Sequence, residues 1–319
     1  MRFRIINHIG ENSIAAHIAT HNITDEILSL CENLPAQSQS LLLRQIARMR
    51  ESYLLRNPLI TNITQDEFIE LEAIATQFFP NIFKLSENLY FYSDTSHKDS
   101  TNHAGYFLPI NHFEISVFWH KHSLKHLDSA TLAKMRGKDF IDVGGFIGDS
   151  AIVFEREFCD KNIYSFEPTR ANFELMKRTI ELNNAKRIIP LNLGLGSEKS
   201  QMQISILGSG SSIALDCGGE KESVEITTLD SFVKERQIEV GFIKVDVEGF
   251  EMEFLKGAKE TIRAQKPAML ISIYHQASDY FKIKPLIESW DLGYKLQVCK
   301  GVDFSLVAET VLLCEVCEE

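Results

Sequence analysis

The sequence predicts an α/β protein whose later half forms one open, mostly parallel β-sheet. After Lys138, apolar segments of strand length alternate with amphipathic segments of helix length, which is typical of parallel strands joined by helices. The first strand-like segment, residues 139–143, ends at Gly144 and Gly145 and leads into a helix-like stretch over 150–158. Because open sheets of this kind bind ligands at the carboxyl ends of their strands, we expect a binding site at this glycine turn.

The composition is that of an ordinary soluble chain, and it argues against some functions. Of 319 residues, 44% are hydrophobic and 24% are charged, and this length suits about two domains. The formal net charge of −11 argues against a nucleic-acid partner, for which a basic surface would be expected. No apolar run approaches the roughly 18 residues that span a bilayer, and the basic N-terminus lacks the apolar core of a secretory signal.

The cysteines point to a reducing compartment. They are scattered along the chain rather than dense enough for a disulfide scaffold, so we expect a cytoplasmic protein. Cys314 and Cys317 form a single Cys-x-x-Cys motif, whereas a zinc site would need a second pair at similar spacing. Neither metal nor redox chemistry is therefore predicted at this motif.

Residues 1–137 are predicted to form a mainly helical accessory domain, followed by a second domain over 138–319. A capping box of Thr64 and Glu67 predicts the start of one of its helices. An earlier predicted helix carries several arginines near its apolar face, namely Arg44, Arg48, Arg50 and Arg56. These arginines either bind an anion or belong to a solvated helix face, which is the commoner case. If the chain forms a homo-oligomer, we expect this region to provide the contact.

The stretch from residue 89 to residue 126 has a different pattern. Aromatic residues alternate with polar ones over 89–92 and 113–119, which predicts short strands, and the polar segment 93–105 is expected to form a loop over a site. Histidines are frequent here, and His120 and His122 would share one face of a strand. Since no carboxylate or cysteine joins them at a metal-ligand spacing, structural or surface histidines are favoured.

The remaining elements follow from the alternation of apolar and amphipathic segments after Lys138. Further strands are predicted over 162–167, 187–194, 241–248, 267–275, 294–299 and 310–316, and helices over 171–183, 250–265 and 279–290. A pair of strands, 201–207 and 223–228 around the loop 208–212, interrupts the alternation and predicts a β-hairpin insertion.

The first group of candidate site residues surrounds the glycine turn: Asp142, Gly144, Gly145, Gly148 and Glu167. Glu167 ends the second strand, where a carboxylate can accept hydrogen bonds from both hydroxyls of a ribose. The glycine pattern is Gly-Gly-x-x-Gly rather than the Gly-x-Gly-x-x-Gly of dinucleotide sites, and Asp142 and Asp149 flank it. A sulfonium is favoured by acidic neighbours, so the pattern favours S-adenosylmethionine over a dinucleotide.

The second group is Lys244, Asp246 and Glu248, which would share one face of the strand over 241–248. Charges on a central strand are costly unless they are paired or used by a site. The alternative is a structural Lys244–Asp246 pair with Glu248 capping the next helix. His275, at the end of the following strand, is either a general base or a core histidine held by backbone groups.

Taken together, these residues resemble the FkbM-type S-adenosylmethionine-dependent methyltransferases. The matching segments are 140–150, 166–168, Asn172, 182–183, 228–230, 243–251, 255–258 and Pro267. The chain departs from the family's common Gly-Ala-Asn at Gly144-Gly145-Phe146, and from its common Glu-x-His before His275. The Lys-x-Asp-x-Glu-Gly-x-Glu block over 244–251 is the most specific part of the resemblance.

The resemblance implies a Rossmann-like class I methyltransferase fold, with a mostly parallel seven-stranded sheet and one reversed strand near the end. It implies methyl transfer to a hydroxyl of a small-molecule or glycan acceptor, such as a sugar or another polyol. The cofactor would be held by Asp142, Gly144, Gly145, Gly148, Asp149, Ser150, Glu167 and Asn172, with Asn192 and Gly194 near its adenine. Asp246 would lie between the methionine end of the cofactor and the acceptor.

The expected reaction is an in-line displacement in which His275 or Asp246 removes the acceptor proton. Lys244 would pair with Asp246 or orient the acceptor, and Asp246 with Glu248 offers oxygen ligands that suit a divalent ion. Two other functions stay open from the residues alone. One is a nicotinamide-dependent oxidoreductase, and the other is a non-catalytic module that keeps the cofactor pocket while residues 1–137 bind a partner.

Overall fold

A computed structural model of the protein describes residues 9–55, 63–94, 105–205 and 221–316. Most of the loop predicted over 93–105, the loop over 208–212 and Cys317 lie outside the described residues. None of the described helices is both long and apolar enough to cross a membrane.

The N-terminal part is mainly helical, as predicted. It contains α1 (Ile9–Thr20), α2 (Thr24–Cys31), α3 (Ala36–Leu55) and α4 (Gln65–Ala73), followed by a π-helical turn (Ile74–Phe78) and a 3₁₀ turn (Phe79–Asn81). The predicted capping box is present: the backbone N–H of Glu67 donates to Thr64 Oγ1 at 3.2 Å, and the N–H of Thr64 donates to Glu67 Oε2 at 2.8 Å. These bonds satisfy backbone donors that a helix start leaves unpaired.

A small antiparallel sheet follows, made of β1 (Ile82–Ser86), β2 (Leu89–Ser93) and β3 (Gly105–Leu108). The strand predicted over 89–92 is confirmed, but the strand predicted over 113–119 is wrong. Ile115–Phe118 forms a short helix, α5, because the residues that become buried are Phe113, Val117 and Phe118. Their spacing is helical, whereas the alternation of aromatic and polar residues suggested a period of two.

His120 and His122 do not share a strand face, contrary to prediction. They flank a sharp change of direction within the 3₁₀ segment Lys121–His126, where His122 and Ser123 have φ of 54° and 60°. His120 Nε2 lies 2.8 Å from the carbonyl oxygen of Val302, and His122 Nε2 lies 2.9 Å from Ser150 Oγ. The two rings thus bind separate partners and do not form a metal pair.

After α6 (Ser129–Arg136), the chain builds the large sheet. Its strands are β4 (Asp139–Val143), β5 (Ile163–Phe166), β6 (Ile188–Leu191), β10 (Val240–Val245), β11 (Ala268–Ser272), β12 (Lys295–Cys299) and β13 (Val311–Glu315). The intervening insertion contains β7 (Gly194–Leu195), β8 (Ser200–Ser205) and β9 (Lys221–Thr227). The accompanying helices are α7 (Asp149–Glu157), α8 (Arg170–Leu182), α9 (Leu229–Arg236), α10 (Glu251–Gly257), α11 (Lys259–Gln265) and α12 (Ala277–Glu288).

The large sheet has the order β12-β13-β11-β10-β4-β5-β6, with β13 antiparallel to both neighbours and the other pairs parallel. This confirms the predicted Rossmann-like α/β fold with seven strands and one reversed strand. The predicted hairpin is also present as β8 and β9, and β7 adds a short parallel strand to it. The chain runs outward in opposite directions from β4 and β10, so a ligand crevice is expected at their carboxyl ends.

Alternate residues of the central strands enter two hydrophobic cores. Ile141 and Ile243 face a core that also contains Ile14, Leu30 and Leu42 of the N-terminal helices. Phe140 and Phe242 face the other, together with Phe118 and Tyr92. The division at residue 138 stays a prediction, and both cores extend across it.

Candidate active site

A cavity of about 630 Å³ lies at the carboxyl ends of β4, β5 and β10. One side of it is formed by the turns that follow these strands. The opposite side, called here the outer wall, comes from residues within 112–122 and 303–309. The cavity is therefore at the crevice that the strand order predicts.

The glycine turn after β4 is tightly packed against the protein itself. Gly144 has φ of +81°, and a Cβ there would lie 1.8 Å from the carbonyl oxygen of Asp246. A Cβ on Gly145 would lie 2.1 Å from Ser165 Oγ. These glycines let β4 approach the segment after β10 and the neighbouring strand β5, and Gly144 also lines the cavity.

Glu167 lies beside this turn, as the sequence predicted. Its Oε2 accepts a hydrogen bond of 3.1 Å from the backbone N–H of Phe146, and its Oε1 accepts one of 2.9 Å from the N–H of Thr169. Burial raises the pKa of Glu167 to about 7, although the hydrogen bonds from Thr169, Phe146 and Asn172 oppose that shift. The carboxyl group is held in place by the protein while it faces the cavity.

Lys244 and Asp142 form a buried ion pair behind the turn. Lys244 Nζ lies 3.4 Å from Asp142 Oδ1 and 3.9 Å from Asp246 Oδ2, and it donates a 2.6 Å hydrogen bond to the carbonyl oxygen of Gly144. Burial alone would lower the pKa of Lys244, but Asp142 and Asp246 outweigh it and raise this pKa above its ordinary value. Asp142 Oδ2 also accepts a 2.6 Å bond from Ser165 Oγ. Asp142 therefore supports the site from within the sheet.

Asp149 and Ser150 begin helix α7 at the edge of the cavity. Asp149 Oδ1 accepts a 2.9 Å hydrogen bond from the N–H of Ser150, and burial raises the pKa of Asp149 to about 7. Burial lowers the pKa of His122, which contacts Ser150 Oγ, to about 3. His122 is thus a neutral hydrogen-bonding group, and its segment ties α7 to the outer wall.

The acidic motif lies after β10 rather than within it. The strand ends at Val245, and Glu248 has φ of +53°, so the expectation that Lys244, Asp246 and Glu248 share one strand face is wrong for Glu248. Asp246 is anchored by its own N–H, which donates to the carbonyl oxygen of Val143 at 3.0 Å. The segment turns here because Gly249 and Glu248 both adopt positive φ before α10 begins.

The imidazole of His275 lies close to three carboxylates of this motif. Its Nε2 lies 3.5 Å from Asp246 Oδ1 and 3.5 Å from Glu248 Oε2, and its Nδ1 lies 2.8 Å from Oε1 of the buried Glu251. Burial alone would lower the pKa of His275, but Glu251, Glu248 and Asp246 together raise it to about 10. An imidazolium has no lone pair for a proton, so in this charge state Asp246 is the better-placed base.

Among the residues that the structure describes, two groups of side chains have the spacing of a metal site. Asp246, Glu251 and His275 form one, and His112, Glu114 and Asp149 form the other, with potential ligand atoms within 4.8 Å of one another in each group. The first contains one of the two acids that the sequence suggested for a divalent ion. The second joins residues far apart in the chain, and the sequence analysis did not single it out.

The predicted site residues separate into two sets. Those that line the cavity are Gly144, Asp149, Ser150, Glu167, Asn172, Gly194, Lys244, Asp246 and Glu248. Those that do not line it are Asp142, Gly145, Gly148, Asn192 and His275. Asn192 Nδ2 donates to the carbonyl oxygens of Glu167 and Pro168 at 3.0 and 2.8 Å, so it shapes the turn that carries Glu167.

Sequence reasoning missed the outer wall. Glu114, Phe304 and Glu309 line the cavity there, and the hydroxyl of Tyr274, which also lines the cavity, donates to Glu309 Oε1 at 2.9 Å. Burial raises the pKa of Glu309 to about 8 and that of Glu248 to about 7. The histidines before residue 126 were expected to be structural or surface residues, and a site in this region was expected only from the polar loop over 93–105. Neither expectation indicated which acids would join the cavity.

The chain is similar in sequence to known methyltransferases. Residues 142–296 match the methyltransferase FkbM domain. The chain is 26% identical over 173 residues to Methyltransferase 1 of Beauveria bassiana, a match that covers 47% of this chain and 70% of that protein.

Two solved structures are also similar. The crystal structure of Methyltransferase FkbM from Methylobacillus flagellatus KT is 22% identical with a TM-score of 0.46, and the match covers 62% of this chain and 49% of that one. The chain thus spans about half the length of that protein. A putative methyltransferase from Streptococcus mutans in complex with SAH is 10% identical with a TM-score of 0.37, covering 58% of this chain and 93% of that one.

Proposed function

We propose that this chain, a methyltransferase of the FkbM type over residues 142–296, transfers a methyl group from S-adenosylmethionine to a hydroxyl of a sugar or another small polyol. The observation that carries the proposal is that one cavity brings together Glu167, the glycine turn and Asp246. Glu167 and the glycine turn would bind a nucleoside that has an amino-acid end, and Asp246 would lie between that end and the methyl acceptor.

The cofactor end of the cavity fits a ribose. Glu167 is nine-tenths buried, and the N–H of Phe146 together with the N–H and hydroxyl of Thr169 hold its two oxygens, so the carboxylate has a fixed orientation toward which a ribose hydroxyl can donate. Asn172 and Gly194 line the cavity near it. When bound, S-adenosylmethionine would supply an electrophilic methyl group on a sulfonium. The acids Asp149 and Asp246 favour that positive charge electrostatically.

The acceptor end of the cavity suits a molecule with several hydroxyl groups. Asp246, Glu248, Glu114 and Glu309 are hydrogen-bond acceptors on its walls, and hydroxyl groups are donors that such oxygens bind. Asp246 would accept the proton that the hydroxyl loses as its oxygen forms the bond to the methyl carbon. Lys244 and His275 keep Asp246 ionised, since burial alone would raise its pKa but these two cations lower it.

Most of the acceleration would come from positioning. Holding the reacting groups in line can supply about 7–11 kcal/mol, while proton removal adds roughly 10²–10⁴-fold. The rigid attachment of Asp246 to Val143 and of Glu167 to Phe146 is the kind of support that this positioning needs. His275 would then act as a positioning residue, through its contact with Asp246.

The test begins with binding. A thermal-shift panel with S-adenosylhomocysteine, NAD and NADP should show stabilisation by the first alone, about 2.7 kcal/mol at one hundred times the dissociation constant. Stabilisation by NAD instead would favour the oxidoreductase and overturn the proposal.

Turnover is the second test, with S-adenosylhomocysteine release measured over a panel of sugars and polyols. Asp246→Asn should keep cofactor binding and lose at least about 10²-fold in rate. Asp160→Asn, at an exposed acid before the amino end of β5 and thus at the opposite end of that strand from the cavity, is the matched control and should be unaffected. Binding without turnover on any acceptor would favour the non-catalytic module.

A further inference from the structure

A second cavity, of about 150 Å³, lies between α3, the start of α4 and the segment 300–306. Its lining holds three cationic side chains, Arg44, Arg48 and Lys300, and two carboxylates, Glu67 and Asp303. One positive charge is therefore left over at this place, in a chain whose formal net charge is −11. Arg44 and Arg48 are one helical turn apart on α3 and so present the same face.

The carboxylate of Glu67 forms ion pairs with both arginines. Arg44 Nη2 lies 2.8 Å from Glu67 Oε1, and Arg48 Nη2 lies 3.6 Å from Glu67 Oε2. The same Oε2 also accepts the N–H of Thr64 as part of the capping box. A single carboxylate shared in this way leaves guanidinium donors without an acceptor.

Three such donor atoms are buried. Among the described residues, Arg44 Nε, Arg48 Nε and Arg48 Nη2 have no hydrogen-bond partner. The side chain of Arg48 is only 11% exposed. A buried guanidinium whose N–H groups lack an acceptor is unfavourable, and an oxyanion satisfies it with paired, charge-assisted hydrogen bonds.

The third cation is already neutralised. Lys300 Nζ lies 2.7 Å from Asp303 Oδ1, which also accepts the N–H and the hydroxyl of Ser305 at 2.6 and 2.7 Å. These bonds hold the segment 303–305 in one shape. Since Asp303, Phe304 and Ser305 line both cavities, a ligand in the second one would contact the same segment that forms part of the outer wall of the first.

We propose that the second cavity binds a phosphate-type oxyanion through Arg44 and Arg48. The planar fork of an arginine matches phosphate oxygens, which supports a phosphate rather than a halide. The phosphate comes either from free inorganic phosphate or from a phosphorylated sugar, which have the same chemistry at this site.

The experiment measures binding to the full chain by calorimetry in a phosphate-free buffer. The probes are inorganic phosphate and glucose 1-phosphate in separate titrations, and they distinguish the two sources. The wild-type chain should bind at least one of them saturably, and Arg48→Gln and Arg44→Gln should each weaken that binding by roughly tenfold or more. Arg50→Gln, an exposed arginine on the same helix, is the matched control and should bind as the wild type does.

Folding of the variants is checked by thermal unfolding without ligand, where each should unfold cooperatively because Glu67 keeps the other arginine as a counter-ion. Binding of neither probe by the wild type, or equal binding by Arg48→Gln and Arg50→Gln, would overturn the proposal. Because S-adenosylhomocysteine binding is measured separately on the same samples, failure here is distinguishable from failure of the proposed methyl transfer.

Discussion

The ammonium of Lys244 donates a hydrogen bond of 2.6 Å to the carbonyl oxygen of Gly144, and this bond joins the two charged motifs of the sequence. Lys244 belongs to β10 and Gly144 follows β4, the strands that lie side by side at the centre of the sheet. The same ammonium is near Asp142 and Asp246. One buried cation therefore fixes the positions of three groups: the glycine turn, Asp142 behind it, and Asp246, the candidate base.

Replacing Lys244 by Met should lower the free energy of unfolding by about 3–5 kcal/mol, because it leaves Asp142 buried without its counter-ion. Urea unfolding measures this loss. Lys256→Met, at an exposed ion pair, is the control and should change stability by no more than about 0.5 kcal/mol. Adding Asp142→Asn to Lys244→Met should restore part of the loss, and a single variant as stable as the wild type would contradict this account.

Gly144→Ala should destabilise the protein by about 2 kcal/mol or more, since φ there is +81° and the new methyl would meet the carbonyl oxygen of Asp246. Cofactor binding and turnover should both fall because the turn carries both halves of the site. Gly137→Ala is a matched control, as nothing lies within 4 Å of the added carbon and its φ is −81°. Comparable losses of stability in the two variants would show that the close packing at Gly144 is not responsible.

Binding of S-adenosylhomocysteine should strengthen as the pH rises through about 7, the pKa to which burial raises Glu167. The ionised carboxylate is the stronger acceptor for a ribose hydroxyl, whereas the protonated form gives up part of its acceptor capacity. Linkage predicts about tenfold weaker binding at pH 6 than at pH 8. Calorimetry across this range is the measurement. The Glu167→Gln variant should bind S-adenosylhomocysteine more weakly at every pH, and its affinity should no longer depend on pH. A pH dependence that persists in this variant must come from another group.

The stability that His275 contributes should decline between pH 6.5 and 10. The pKa of His275 in the folded chain is about 10 against an ordinary value of 6.5, so the contribution is complete below pH 6.5 and disappears as the pH rises through 10. Urea unfolding of wild type and His275→Gln in buffer with EDTA should therefore show the largest difference near pH 6. EDTA removes any ion from the nearby acids.

His122 provides a comparison of opposite sign. Burial lowers its pKa to about 3, so the wild type should lose stability relative to His122→Gln as the pH falls below 6.5. If the two variants followed the same pH trend, the charge state assigned to His275 would be wrong.

Parts of the site were predictable because they depend on short stretches of chain. The end of β4, the end of β5 and the acid of Asp246 all follow from strand length and from the rule that parallel strands expose their carboxyl ends together. That is why Glu167 could be expected beside the Gly144 turn, where its bond to Phe146 confirms it.

Other parts failed for identifiable reasons. The strand predicted over 113–119 is helix α5, because burial of Phe113, Val117 and Phe118 outweighed the alternation of aromatic and polar residues. The face assigned to Glu248 was wrong because β10 ends at Val245, and strand ends are set by neighbouring strands as much as by local sequence.

The reversed strand near the end was implied by the resemblance to a known family. The sequence by itself determined most of the alternation of strands and helices after Lys138, although not helix α9, and which acids follow which strands. These depend on periodicity, turn residues and chain direction, all of which are local. Only the tertiary structure decided that Glu251 orients His275, that Glu309 and Glu114 enter the cavity and that Arg44 and Arg48 share one carboxylate. Such contacts join side chains that are far apart in the chain. They form only when the cores on both faces of the sheet have packed. The charge of each group depends on the distances and the burial that this packing creates.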